Sequence, residues 1–163
     1  MISSKIGIRK VLAIIGKGLV HMGHHLVKRG VKVKYKVISS DQLDKKYTSN
    51  IWCLDGKYWV TDIDTYKKII FLDWTNEKRY LRDRYDCDDF AWHFKAMMSR
   101  IYGLNGVGWA VGKVYEGDRE VGYHAFNIIY TEDGSYLFEP QTDEISDTNR
   151  IGKWRYVVDW VIV

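Results

Sequence analysis

The stretch "RYDCDDFAWHFKA", Arg84 to Ala96, sets one thiol, Cys87, among Asp86, Asp88 and Asp89 at the start of an expected helix. The thiolate is the reactive form of cysteine, and neighbouring carboxylates oppose it. Asp86 suits the N-cap, and Asp89, three residues on, suits the reciprocal arm of a capping box. Cys87 then lies in the first helical turn, where unpaired amides and the helix dipole favour a thiolate and offset part of the penalty. Thirty-seven positions on, "GYHAFN" offers His124; fifteen further, "FEPQ" offers Glu139, followed by Gln141. A thiol at a helix start, an imidazole on a strand and a carboxylate on the next strand are the nucleophile, base and orienting partner of an acyl-transfer site.

Those three groups need a helix and a hairpin to bring them together. The helix is expected from Cys87 to about Tyr102, ended by Gly103, with Cys87, Ala91, Phe94 and Met98 on one face toward a sheet. Upstream, Thr61 or Asp62 caps a shorter helix that turns Tyr66, Ile69 and Ile70 inward. Beyond Gly106 the pattern alternates: "VGWAVGKVYEG", "EVGYHAFNIIYT", "SYLFEP" and "KWRYVVDWVIV" are strands rich in β-branched and aromatic residues. Helices first and an antiparallel sheet afterwards is the α+β pattern. The hairpin register decides whether Glu139 reaches His124. A two-residue turn at Asp133 and Gly134 leaves them about 13 Å apart along the strand. A four-residue loop, Thr131 to Gly134, puts Gln141 opposite His124 and Glu139 on the diagonal, about 7 to 8 Å away in the backbone frame. The second register is favoured, and Pro140 keeps Glu139 extended at a strand end.

The rest of the composition bounds the context. With 163 residues, 46% hydrophobic and seven tryptophans, the chain is long enough to bury a core, which argues against disorder. Cys53 and Cys87 are too few for a disulfide framework and favour a reducing compartment such as the cytoplasm. The net charge of +4 is unevenly spread: Met1 to Lys46 holds eleven Lys or Arg against Asp41 and Asp44 only. This basic, apolar-periodic segment is expected to form a helical extension (residues 1–46) ahead of the main domain (residues 47–163). Such a helix suits its own domain, an anionic membrane or nucleic acid. Its "VLAIIG" run is short for a signal peptide, and no run reaches the roughly 18 apolar residues of a spanning helix. His21, His24 and His25 fall at helical spacing for a metal, although histidines on a basic helix are usually only surface.

The motifs "DCDDFA", "GYHAFN" and "FEPQ" resemble the core of the papain-like and transglutaminase-like cysteine enzymes, closest to the C-terminal, calcium-dependent protease domain of fungal agglutinins of the Marasmius oreades type. The resemblance covers roughly Ile51 to Val163 and lacks the sugar-binding repeat that precedes the protease there. It implies a papain-like α+β core, Cys87 as nucleophile, His124 as base and Glu139 as its orienting partner. It also implies Asp88, Asp89 and Gln141 as oxygen ligands to calcium, or manganese in its place. A divalent ion would neutralise the two aspartates and reverse their effect on the thiol. For the oxyanion, the Cys87 amide is the natural donor, with Tyr80 or Trp74 as the second. The function expected is a calcium-dependent hydrolysis of protein or peptide bonds through a thioester. The alternatives are amine transfer of the transglutaminase kind, or a catalytically silent module that docks through its basic segment.

Overall fold

The computed structural model describes residues 15–20, 22–23 and 30–163. The chain divides into two compact units, Met1–Lys32 and Val33–Val163. In the first, residues 15–20, 22–23 and 30 are helical. His21, His24 and His25 lie outside the described residues, as does much of the basic segment. Among the described residues no helix is long and apolar enough to cross a membrane.

The second unit is built from nine strands and two α-helices. Strand β1 (Lys36–Ser39) pairs antiparallel with β3 (Lys57–Val60), so part of the segment read from sequence as extension belongs to this unit. Helix α1 (Ile63–Leu72) starts where Asp62 accepts the Thr65 amide at 2.8 Å, a side-chain cap that satisfies one of the unpaired donors of the first turn. Its Tyr66, Ile69 and Ile70 are buried, as their spacing requires. Helix α2 (Cys87–Met97) begins at Asp86, whose side chain and that of Asp89 cap reciprocally. It continues as a π-helical turn, Met98–Tyr102, and stops at Gly103, whose φ of +66° is easily reached only without a Cβ.

The main sheet runs in the order β2 (Ile51–Trp52), β9 (Trp154–Ile162), β4 (Val107–Glu116), β5 (Arg119–Thr131), β6 (Gly134–Glu139) and β7 (Glu144–Ser146), with β8 (Arg150–Ile151) paired to β9. Only β2 pairs parallel, with β9; the rest is antiparallel. In β4, Gly112 lies opposite His124 of β5 at a register shift toward β9, where a Cβ would come within 2.1 Å of the Val157 carbonyl oxygen. One sheet face buries Phe126, Ile128, Leu137, Tyr156 and Val158 with β1 and β3. The other carries α2, through Ala91 against Val111 and Ala125 and through Phe94 against Phe138 at 4.3 Å between ring centroids. Buried Asn127 fastens the helix by donating to the Ala91 carbonyl.

The balance differs from the papain-like α+β core expected from sequence. The long alternating runs after Gly106 all become paired strands, and two α-helices of ten and eleven residues, with short 3-10 and π-helical turns, accompany them in this unit. The architecture is mostly β-sheet. Alternation in strands that bury both faces supplies the core here, and α2 serves as one covering layer.

Candidate functional site

Cys87 is the first residue of α2, half-buried, and packs against the cluster of Ala91, Val111 and Ala125, as Trp109 and Trp160 also do. By alternation His124 belongs to the opposite face, beside Phe126 and Tyr156. The two are reconciled by the sheet edge, since β5 pairs with β6 only from Asn127 onward and is open on that side at His124. Tyr130 opposite Ser135 is the register that sets Glu139 on the diagonal of His124; pairing extends one step further, so Glu132 and Asp133 form the turn.

Glu139 is 4% exposed and is the anchor of the group. Its Oε2 lies 2.7 Å from His124 Nε2 and accepts the Tyr156 hydroxyl at 3.2 Å. Its Oε1 accepts the backbone amide of Gln141 at 3.3 Å and the Gln141 side chain at 3.4 Å. A buried carboxylate with this many donors is satisfied and fixes the imidazole, whose Nδ1 is left for the side of Cys87. Burial works against charge on His124, yet hydrogen bonds and charges from Cys87 and Glu139 more than offset it and push its pKa up to about 9. Cys87, His124 and Glu139 are thus brought together.

At the helix start, ligand atoms of Asp86, Cys87 and Asp88 lie within 4.8 Å of one another. A hydrogen bond from Asp88 holds the Asp86 carboxyl low, while the same contact, with burial and the Asp86 charge, pushes Asp88 up. Asp89 accepts the Asp86 amide at 3.2 Å, and Gln141 is turned to Glu139. The remaining two predicted residues, Trp74 and Tyr80, are exposed; Tyr80 feels the charges of Asp86 and Cys87, after desolvation, in a raised pKa.

Two features escaped the sequence. A cavity of about 360 Å³ opens beside the imidazole, lined by Tyr123, His124, Glu139, Gln141, Trp154 and Tyr156. On the surface near Cys87, four tryptophans follow one another: Trp92 against Trp109 at 5.1 Å, Trp109 against Trp160 at 5.2 Å, and Trp160 against Trp52 at 5.9 Å. Trp109 also donates to the Asp88 carbonyl at 3.3 Å, joining this row to the helix start. Alternation marks Trp52, Trp109 and Trp160 as strand residues and Trp92 lies on α2, but register across three strands and the docking of that helix decide that they meet.

A family model described as the ricin-type beta-trefoil lectin C-terminal domain matches residues 29–158. The chain belongs to this family. Among solved structures it is similar to the Polyporus squamosus lectin bound to a human-type influenza-binding epitope, with 22% identity and a TM-score of 0.52 over 70% of this chain and 42% of that one. It is also similar to a structure described as a PSL1a–E64 complex, with 20% identity and a TM-score of 0.54 over 87% and 49%. These likenesses are of fold, and the chain spans less than half the length of either. No curated protein matches it.

The lectin family corrects the resemblance to papain-like and transglutaminase-like cysteine enzymes, and with it the assignment as a calcium-dependent cysteine hydrolase. Three short motifs carried that resemblance. A thiol, imidazole and carboxylate in order recur on unrelated folds, so they describe a local site and not the lineage of the chain around it.

Proposed function

We propose that this domain is a carbohydrate-binding module of lectin type, and that a glycan, not a protein or peptide substrate, is its ligand. The observation that carries this is the cavity beside His124. The rings of Tyr123, Trp154 and Tyr156 offer apolar faces to the C–H groups of a sugar, and Gln141, Glu139 and His124 offer fixed polar partners for its hydroxyls. Lectin-family membership and the sialylated trisaccharide Neu5Acα2-6Galβ1-4GlcNAc bound by the Polyporus squamosus lectin support the same ligand class.

His124 and Glu139 form the inner edge of this proposed site, and Cys87, packed under α2 on the other sheet face, does not line it. Calcium, or manganese, is proposed at the start of α2, with oxygens from Asp88, Asp89 and Gln141. The ligand atoms of Asp86, Cys87 and Asp88, all within 4.8 Å of one another, support an ion at Asp88; Asp89, which accepts the Asp86 amide, and Gln141, which donates to Glu139, would turn to join it.

Titration calorimetry against a glycan panel that includes this trisaccharide, with and without calcium, tests the reading. Trp154→Ala is expected to lower affinity at least tenfold, whereas Cys87→Ala is expected to bind as the wild type does. Absence of binding to every glycan refutes the proposal. Cleavage of an unfolded protein by the wild type but not by Cys87→Ala refutes the catalytically silent module.

A further inference from the structure

A second pair of carboxylates faces inward where the loop after α1 meets the turn between β6 and β7. Asp73 accepts the Thr75 amide at 3.2 Å through Oδ2, and Asp143 accepts the Asn76 side-chain amide at 2.7 Å through Oδ2. The other oxygen of each, Oδ1, is buried without a partner. So is the hydroxyl of Thr75, a residue with no exposed surface. Asp73 is bonded to Thr75 and Asp143 to the next residue, Asn76, so the two acids meet at one short loop. Among the described residues neither is in a salt bridge.

Each buried oxygen left without a donor is costly, and more so when charged. Here three occur in one short loop and the turn it touches. Hydrogen bonds already hold one oxygen of each carboxylate in place, so the unpartnered set is ordered before any ligand arrives. The donor set is all oxygen: two carboxylates and a hydroxyl, with water and the Asn76 amide oxygen available to complete it. A hard cation that accepts six to eight oxygens in irregular geometry matches that set, and a thiophilic metal does not.

We propose that Asp73, Thr75 and Asp143 bind a calcium ion, at a site separate from the one considered at the start of α2. Asp143 has φ of +60°, in the left-handed region, and sits two residues beyond Gln141. The ion would therefore fasten the turn that carries the cavity rim to the loop that leads toward α2.

The test is made on the full chain after removal of metal by chelator. At calcium a hundredfold above its Kd, the wild type is expected to gain about 5 to 10 °C in Tm. Asp88→Asn should keep this gain, and Asp73→Asn and Asp143→Asn should lose it. Thr75→Val preserves shape and removes only the hydroxyl; its calcium affinity should fall about tenfold. Terbium luminescence sensitised by nearby aromatic rings and displaced by calcium reads binding independently of stability. No calcium-dependent gain in the wild type overturns the proposal, and points to a proton or water shared between the acids. Binding retained by both Asp143→Asn and Thr75→Val but lost in Asp88→Asn also overturns it, by moving the ion to α2.

Discussion

Replacing Glu139 with Gln isolates the charge that holds His124. The side chain keeps its shape, and its one remaining acceptor oxygen can serve either Tyr156 and His124 or Gln141, so the perturbation removes charge and one acceptor but opens no cavity. In the wild type the imidazole is raised from 6.5 to about 9. At about 1.4 kcal/mol per unit, this span is worth at most about 3 kcal/mol of preference for the charged ring. The sign follows from the direction. A histidine whose folded pKa lies above its unfolded one contributes stability that is complete below about 6.5 and is lost as the pH rises through about 9. Urea denaturation at pH 6 and pH 9.5, with NMR titration of the His124 ring, measures both quantities. The wild type should lose up to about 3 kcal/mol across this interval, and Glu139→Gln should lose less than half as much, because only Cys87 still favours the imidazolium. The variant should also be less stable at pH 6, with the gap closing at pH 9.5. A wild-type His124 that titrates near 6.5, or equal pH dependence in the two proteins, refutes the reasoning.

Two further outcomes check the geometry around this pair. Iodoacetamide at pH 6, followed by peptide mass spectrometry, should label half-buried Cys87 faster than exposed Cys53, since only Cys87 has an imidazolium partner; equal rates would count against the contact. Gly112→Ala should destabilise by about 2 to 3 kcal/mol in urea, because its Cβ meets the Val157 carbonyl oxygen at 2.1 Å and backbone must move to admit it; an unchanged midpoint would show that β4 and β9 are not that close at His124.

The site's parts were legible in local chemistry. The Asp86–Asp89 capping pair and Gly103 mark the ends of the helical segment that begins at Cys87, and each depends on side chains within a few residues of the feature it predicts. Strand alternation after Gly106 was equally visible, because period two is written into neighbouring residues. Relation to a family was less legible. Three motifs of four to six residues matched a constellation, whereas the lectin family model draws on residues 29–158.

Sequence by itself determined which residues begin and end the elements, which faces are apolar, and which side chains can carry charge or donate. Only the tertiary structure decided that β5 is left open at His124, so that a histidine on one sheet face meets a cysteine packed on the other. It alone gathered the four tryptophans and brought the loop of Asp73 and Asn76 to Asp143. The reason is physical: caps and periodicity are short-range interactions fixed by neighbours in the chain. Cross-strand register and edge exposure arise only when distant segments compete to bury surface, and a shift of one residue would turn every side chain to the other face.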